Sequence, residues 1–204
     1  MIVVIDYGMG NLGSVVNMLK KVGAPSVCVS SDLDDIQKAE KLVLPGVGHF
    51  SKGVSNLRSL GIFDVVNHEV LINNTPILGI CLGMQLMCRS SQEGVGTGFG
   101  WFDTEVVGFR SAPDFQRQIP HMGWGVTRKL REDDFTQGLE EFSKFYHVHS
   151  YYVPESDDAI FNSHYGLEFV SGCRREHIIG VQFHPEKSHK FGMVLMRNFL
   201  SIDV

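Results

Sequence analysis

A cysteine set between two glycines, in the pattern Gly-x-Cys-x-Gly of residues 79–83, constrains this chain more than any other feature. The pattern copies the nucleophile elbow G-x-S-x-G, with Cys81 in the position of the serine. Residues 76–78 predict a short buried strand and residues 84–87 a helix, so the turn between them is sharp. Glycines relieve the crowding of such a turn because they lack Cβ. We therefore expect an exposed nucleophilic thiol whose thiolate form is favoured by the helix N-terminus. The alternative is that Cys81 is a small buried hydrophobic residue.

A histidine and a carboxylate follow an apolar run near the end of the sequence. His184 and Glu186 lie at the end of the run at 178–183. In an extended chain, residues i and i+2 lie on the same side, so Glu186 can orient the imidazole of His184. A cysteine nucleophile needs such a base and such an orienting group. Taken alone, His184 is better explained as a strand-end residue hydrogen-bonded to backbone, since the chain has 9 histidines.

Six segments together resemble class I glutamine amidotransferases, which hydrolyse glutamine with a Cys-His-Glu triad. The elbow, continued to residue 85, the loop PGVG at 45–48 and the run GVQFHPEKS at 180–188 carry this resemblance. Three further segments, at 6–12, 120–124 and 148–152, look like the glutamine-hydrolysing subunit of imidazole glycerol phosphate synthase. The resemblance covers nearly the whole chain, with the motifs in the expected order.

The resemblance implies a role for each matching position. Cys81 would attack the side-chain amide of glutamine, His184 would act as general acid and base, and Glu186 would hold His184. The backbone N–H groups of Leu82 and Val47 would form the oxyanion hole; otherwise the 45–48 loop is an ordinary turn. The positions expected to contact glutamine are Gly48, Gln85, Glu93, Ser150 and Tyr151. Without the resemblance, Gln85 is a helix-surface amide, Glu93 a solvated loop acid, and the last two are ordinary strand residues. No cofactor and no metal are expected.

The resemblance also implies a protein partner. That partner would be a (β/α)8-barrel cyclase, bound as a heterodimer, which uses the ammonia to make imidazole glycerol phosphate and an aminoimidazole carboxamide ribotide in histidine biosynthesis. Asn11, Trp124 and Lys187 would face it; otherwise they are a turn residue, a core aromatic and a solvated lysine. Two departures leave the ammonia acceptor open. Gly125 replaces the asparagine usual after Gly-Trp, and GWFD at 100–103 looks more like paralogues that supply sugar-modifying synthetases of surface-polysaccharide pathways.

Other functions remain open from the sequence. Residues 8–13 satisfy G-x-G-x-x-G after a predicted strand, with Asp32 about twenty residues on, which is the dinucleotide-binding fingerprint. In the family that this chain resembles, the same loop binds no nucleotide and faces the partner. A free-standing cysteine peptidase or γ-glutamyl hydrolase could use the same elbow, and a regulatory protein could keep the fold without turnover.

Composition narrows the class of protein. A chain of 204 residues with 43% hydrophobic content predicts a single domain over 1–204. The net charge of -5 and the lack of a basic run argue against nucleic acid as a partner. The N-terminal sequence does not resemble a signal peptide, and no apolar stretch approaches the ~18 residues of a membrane span, so we expect a cytoplasmic protein. The four cysteines, Cys28, Cys81, Cys88 and Cys173, lack C-x-x-C spacing and suggest neither a zinc site nor disulfides.

The order of elements predicts an α/β fold with a mixed, mainly parallel sheet flanked by helices and an antiparallel part in the second half. In the first half, strands at 2–5, 27–30, 41–44 and 77–80 alternate with helices at 13–22, after an N-cap at Asp32, at 54–60 and at 64–73. In the second half, strands are predicted at 105–109, 123–130, 145–153, 159–164 and 167–174, before a closing helix at 193–200.

Overall fold

The first half of the chain alternates strand and helix, and its strands pair in parallel. A computed structural model describes residues 1–202. Its first elements are β1 (Ile2–Ile5), α1 (Leu12–Lys21), β2 (Val27–Ser30), α2 (Leu33–Gln37), β3 (Lys41–Gly46), α3 (Phe50–Ser59), α4 (Ile62–Leu71), β4 (Ile77–Cys81) and α5 (Leu82–Met87). The strands read as continuous apolar runs because both faces of this part of the sheet are covered.

The second half consists mainly of antiparallel strands. Its elements are β5 (Cys88–Ser91), β6 (Phe102–Gly108), β7 (His121–Lys129), β8 (Phe142–His149), β9 (Tyr151–Tyr152), β10 (Ala159–His164), β11 (Glu168–Arg175), β12 (Ile178–Val181) and α6 (His189–Leu200), with 3-10 turns at Phe109–Ser111 and Pro185–Lys187. The large sheet has nine strands in the order β2-β1-β3-β4-β12-β11-β10-β7-β8, and a small sheet has the order β5-β6-β9. The predicted fold class is confirmed.

Strand β12 joins the two kinds of pairing. It runs parallel to β4, with Val181 opposite Ile80, and antiparallel to β11, with Val181 opposite Gly172. The carboxyl ends of β4 and β12 therefore lie side by side at one edge of the sheet. Cys81 ends β4 and His184 follows β12, so the two halves of the predicted chemistry meet at this seam.

Two hydrophobic clusters pack on opposite faces of the sheet. Successive residues of a strand point to opposite faces, so Val3 and Ile5 belong to one cluster while Ile2 and Val4 belong to the other. A small aromatic cluster of Phe109, Tyr152 and Phe169 lies beneath the second half. None of the helices within residues 1–202 has the length and apolar character that a membrane span needs.

Three predicted boundaries differ for identifiable reasons. Helix α3 begins at Phe50 rather than near 54, because the carboxylate of Glu93 accepts the Phe50 N–H at 2.8 Å and caps the helix from a distant loop. The strand predicted at 145–153 is interrupted at Ser150, where the chain leaves the large sheet so that β9 can pair with β6. Helix α6 begins at His189 rather than near 193, and Gly192 lets its first turn pack closely on Pro185, because a Cβ there would overlap the carbonyl of Pro185.

Candidate active site

The turn at Cys81 is tightly packed and strained. Cys81 has φ 55 and ψ -109, in the left-handed region that non-glycine residues avoid. Such a conformation costs about 1–3 kcal/mol and persists only where the surroundings enforce it. The enforcing contacts are visible at the flanking glycines. A Cβ on Gly83 would overlap the carbonyl oxygen of Leu44, and one on Gly79 would lie 2.7 Å from Cε of Met87. The predicted strand–turn–helix unit is present, but Cys81 is only 5% exposed rather than the exposed thiol that the motif predicts, because the turn is packed against its neighbours.

The sulfur of Cys81 receives a hydrogen bond from a residue to which the sequence assigned no role. Nε2 of Gln182, which is fully buried, donates to Sγ at 3.6 Å. Oε1 of Gln182 accepts from Nε2 of Gln85 at 2.9 Å, and the same Nε2 donates to the carbonyl of Tyr151 at 3.2 Å. The Tyr151 carbonyl can only accept, so the amide of Gln85 must face it with Nε2. Oε1 of Gln182 then faces the same Nε2, which directs Nε2 of Gln182 at the sulfur. The only sequence signal was the i, i+2 spacing of Gln182 and His184.

His184 and Glu186 form a buried pair. Nδ1 of His184 lies 2.7 Å from Oε1 of Glu186, and both side chains are 2% exposed. Burial alone would lower the pKa of His184. The nearby sulfur of Cys81 and the bond to Glu186 outweigh burial and raise that pKa to about 10. Within residues 1–202, Nε2 of His184 has no hydrogen-bond partner, which leaves this nitrogen available for proton transfer.

The backbone around His184 is held by Ser188. Its hydroxyl donates to the carbonyl of His184 at 2.6 Å and accepts the N–H of Tyr146 at 2.9 Å. The N–H of His184 in turn donates to the carbonyl of Tyr146 at 2.8 Å. These bonds tie the turn that carries the histidine to strand β8, a role that the sequence motif does not predict for Ser188.

A cavity of about 140 Å³ opens beside the cysteine. It is lined by Gly48, Cys81, Leu82, Gln85, Glu93, His149, Ser150 and Tyr151. All five residues predicted to contact glutamine therefore line the same space. Gln85 is buried rather than lying on a helix surface, and Glu93 is half-buried, with one carboxylate oxygen used to cap α3.

The loop at 45–48 packs against the elbow. Gly46 is opposite Cys81 in the pairing of β3 with β4, and a Cβ on Gly46 would lie 2.8 Å from Cβ of Leu82. Gly48 has φ +117 and lines the cavity, while the side chain of Val47 is 41% exposed. The loop therefore lies next to the N-terminus of α5, beside the cavity.

Tyr7 lies under this loop and was not identified from the sequence. Its hydroxyl is buried and has no hydrogen-bond partner within residues 1–202. A Cβ on Gly46 would overlap that hydroxyl. Burial, with a contribution from the charge on Cys81, raises the pKa of Tyr7 above its usual range. Tyr7 is therefore a neutral phenol beneath the loop.

The residues predicted to face a partner lie near one another. Asn11 caps α1, where its Oδ1 accepts the N–H of Ser14 at 3.4 Å. Ser14, Lys187 and His189 line one cavity of about 280 Å³. Trp124 stacks on His189, with ring centroids 5.4 Å apart, and is 50% exposed rather than in the core. The predicted surface thus has both a cationic and an aromatic component.

Three buried histidines lie behind the cavity, on β7 and β8. Nδ1 of His121 lies 3.1 Å from Nε2 of His149, and Nδ1 of His147 lies 3.3 Å from the same atom. Burial lowers the pKa of His121 to about 4. Burial, with the charge of His121 adding, lowers the pKa of His149 to about 3. The pKa of His147 falls well below its usual range, chiefly through burial. All three are neutral at pH 7.

The glycine-rich loop at 8–13 has a packing explanation. A Cβ on Gly10 would lie 3.4 Å from the backbone of Pro45 and Gly46, so this loop supports the 45–48 loop. Asp32 accepts the N–H of Asp34 at 2.8 Å and serves as the predicted helix cap.

Both departures from the family pattern also have packing explanations. Trp101 is buried, stacks on Phe99 with centroids 4.2 Å apart, and donates from Nε1 to Asn67 of α4 at 3.0 Å. A Cβ on Gly125 would lie 2.8 Å from Cδ2 of His147. Neither Trp101 nor Gly125 is among the described residues that line the cavity beside Cys81.

Comparison with known proteins agrees with this geometry. The family model "Glutamine amidotransferase class-I" matches residues 3–202. A relative from Pseudomonas aeruginosa, described as imidazole glycerol phosphate synthase subunit HisH 2, is 48% identical over 204 residues, covering 99% of this chain and 100% of the relative. A relative of the same description from Methanococcus maripaludis is 46% identical over 202 residues, covering 98% of each chain.

Solved structures agree on the fold alone. A crystal structure described as a glutamine amidotransferase superposes with a TM-score of 0.76 at 17% identity, covering 98% of this chain and 97% of the other. A structure described as PurLQS from Thermotoga maritima gives a TM-score of 0.70 at 19% identity, covering 98% of this chain and 96% of the other.

Proposed function

The chain belongs to the class I glutamine amidotransferase family, and on that premise we propose that it hydrolyses L-glutamine and passes the ammonia to the cyclase of imidazole glycerol phosphate synthase. The observation that carries the proposal is the convergence of Cys81, His184 and Glu186 at the seam of the sheet, beside a cavity sized for a small molecule. The names of the relatives favour the histidine pathway over supply of a sugar-modifying synthetase.

Cys81 is the proposed nucleophile. Its sulfur attacks the side-chain carbonyl of glutamine, and the tetrahedral intermediate collapses to a glutamyl thioester as ammonia leaves. His184 takes the thiol proton and, as imidazolium, gives it to the departing nitrogen. It then takes a proton from the water that attacks the thioester and returns it to the sulfur, so that glutamate is released and the thiol is restored. Glu186 holds the ring and stabilises its charged form, while the Gln182 amide supports the thiolate.

The developing negative charge needs donors that are already in place. The N–H groups of Leu82 and Val47 are the proposed oxyanion hole, and each such donor is worth about 3 kcal/mol. Leu82 provides its N–H at the start of α5, where the helix dipole adds positive potential. Val47 lies in the loop that rests on the hydroxyl of Tyr7.

The cavity residues are the proposed contacts to the amino-acid part of glutamine. Nε2 of Gln85 donates to two protein acceptors, so its Oε1 is the atom left to accept a hydrogen bond from the substrate ammonium. Glu93 adds a negative charge at the same cavity. Gly48, Ser150 and Tyr151 provide backbone groups for the carboxylate and the amide.

The proposed partner is a (β/α)8-barrel cyclase, bound as a heterodimer through the surface of Asn11, Trp124 and Lys187. The whole chain, 1–204, acts as one glutaminase domain in the cytoplasm, as expected for a biosynthetic enzyme, and ammonia crosses the interface within the complex. Glutaminase activity of the isolated chain should be weak, because the 45–48 loop is fully set only when the partner holds its acceptor. One misaligned oxyanion donor costs about 10²- to 10³-fold.

A rescue experiment tests the proposal. The Cys81→Ala chain is combined with the cyclase, and product formation is measured with glutamine or with ammonium salt as the nitrogen source. We expect loss of glutamine-driven synthesis and full retention of ammonium-driven synthesis, because acceptor chemistry belongs to the partner. Cys28→Ala is the control and should keep both activities. Failure of ammonium to rescue the Cys81→Ala complex, or a full glutaminase rate from the isolated chain, would contradict ammonia transfer.

A further inference from the structure

We propose that His121, His147 and His149 form a binding site for a late first-row transition cation, for which Zn²⁺ is the best fit. This inference goes beyond the proposed function and does not depend on it. Cysteine spacing predicts no zinc site. The histidine cluster is not visible as a sequence motif either, because His121 is distant along the chain from His147 and His149. They are brought together by strand pairing: His121 is directly opposite His149, and His147 lies two residues away on the same side of β8.

The spacing of the ring nitrogens suits tetrahedral coordination. Zinc–nitrogen bonds of about 2.0–2.1 Å place two ligand nitrogens about 3.3 Å apart. Nε2 of His149 lies 3.1 Å from Nδ1 of His121 and 3.3 Å from Nδ1 of His147. One ligand nitrogen from each residue lies within 4.8 Å of the other two. Two edges of the ligand triangle therefore already have the required length.

The third edge can shorten by rotation of one ring. The rings of His121 and His147 are nearly parallel, with centroids 4.5 Å apart, so convergence of their lone pairs requires one of them to turn. Nε2 of His147 is buried and has no hydrogen-bond partner within residues 1–202. A small rotation of this ring about its Cβ–Cγ bond therefore breaks no hydrogen bond at Nε2 and disturbs only the contact of Nδ1 with His149, which a shared ion replaces.

The hydrogen bonds of the three imidazoles are in conflict without a cation. Nδ1 of His149 lies 2.8 Å from the carbonyl of Tyr151, so this nitrogen must carry the proton and Nε2 is a bare acceptor. That single lone pair is approached by Nδ1 of both His121 and His147. Only one of them can donate to it well. A cation removes the competition because it accepts a lone pair from all three nitrogens, and the bond to Tyr151 is the outer contact that orients ligand histidines.

Gly125 provides the space for the third imidazole. A Cβ at this position would lie 2.8 Å from Cδ2 and 3.1 Å from Nε2 of His147, and 3.3 Å from Cε1 of His121. Any side chain at 125 would therefore displace His147 from the cluster. The glycine on β7 and the histidine on β8 are coupled features of this chain.

The ligand set determines the class of ion. Imidazole nitrogens suit zinc, copper, nickel and iron, whereas calcium and magnesium take oxygen ligands. Three neutral nitrogens with a fourth position for water are a zinc arrangement. A bound ion would join β7 to β8 and fix His149, which forms part of the wall of the cavity beside Cys81.

Metal titration of the full chain tests the site. Zn²⁺ binding is followed by calorimetry, and Co²⁺ is used as a spectroscopic probe. We expect one ion per chain and a cobalt spectrum without a sulfur charge-transfer band. His147→Phe should weaken binding about 100-fold or more, since loss of an outer contact alone costs 10- to 100-fold. His164→Phe, which removes an exposed histidine on neighbouring β10, is the matched control and should bind as the wild type does.

Two further measurements locate the ion. Cys81→Ser should keep the affinity, because the catalytic sulfur is not a ligand. X-ray absorption of the zinc-loaded wild-type chain should count three imidazoles and no sulfur, and it needs no variant to fold. The proposal is overturned if the chain binds no ion, if Cys81→Ser loses binding, if His147→Phe binds normally, or if sulfur is found in the coordination shell.

Discussion

The two halves of the large sheet differ in what they expose. Strands β1, β3 and β4 of the parallel half are buried almost throughout. In the antiparallel half, β7 alternates between buried and exposed residues, and Met122, Trp124 and Val126 lie on its exposed face. Parallel strands are covered on both sides, whereas antiparallel strands can leave one face open. The difference separates two regions: the closed half holds Cys81 in its strained conformation, and the open half leaves exposed the face that we propose binds a partner.

The largest expected effect concerns the seam between the halves. His184→Ala should lower glutamine turnover in the complex by about 10²- to 10⁴-fold, because a positioned general base is lost. His121→Ala, on the antiparallel half, should affect chemistry much less. Glutaminase kinetics of the two variant complexes measure the difference in turnover. If the His121 variant were as slow as the His184 variant, the base would be assigned to the wrong half.

Two glycine substitutions, one in each half, compare how tightly the two halves are packed. Gly83→Ala should destabilise the fold by about 3 kcal/mol or more, because its Cβ would overlap backbone that cannot yield. Gly123→Ala, on β7, has φ +128 but meets none of the described residues within 4 Å, so only its backbone strain of about 1 kcal/mol counts. Free energies of unfolding from denaturant titration measure both. Equal losses would mean that the closed half is not more tightly packed at the elbow.

Trp124, on the open half, should matter for partner binding and little for stability, the reverse of what we expect for Gly83. Trp124→Ala should cost about 2 kcal/mol of partner affinity, as for a large aromatic at an interface. Stability of the isolated chain should change by only about 0.5 kcal/mol, since Trp124 is half exposed. Val29→Ala is the control, because Val29 is 43% exposed on β2 at the opposite edge of the sheet. A Trp124 variant that binds the cyclase normally would remove β7 from the interface.

The smallest effect is a pH dependence. The pKa of His184 is raised to about 10, so its charged pairing stabilises the fold fully below about pH 6.5 and is lost as the pH rises through 10. Glu186→Gln should therefore destabilise the chain by about 1.5 kcal/mol at pH 6 and by less at pH 10. Its turnover should fall less than that of His184→Ala. A stability difference that grows with pH would contradict the charged pair.

Local pattern predicts elements in both halves of the sheet. Strands β1, β2 and β10 are predicted with correct bounds, and the contiguous elbow motif predicts the position of Cys81. Gln182 gains its role only through hydrogen bonds to Cys81 and Gln85, which lie 101 and 97 residues away. The helix cap from Glu93 depends likewise on a contact made by the fold. Local pattern reports periodicity and turns, but it carries no information on which distant side chains meet.

Reactivity of the four thiols tests the central claim most directly. Burial raises the pKa of Cys88 far above its usual range and that of Cys173 to about 12, and burial with the charge of Asp35 raises that of Cys28. Among these four cysteines, all within residues 1–202, only Cys81 has both a hydrogen-bond donor at its sulfur and a neighbouring histidine with a raised pKa. A glutamine-mimicking electrophile, followed by mass mapping, should label Cys81 first, and glutamine should protect it. Equal labelling of all four cysteines, or labelling that glutamine does not slow, would contradict a glutaminase site at the seam.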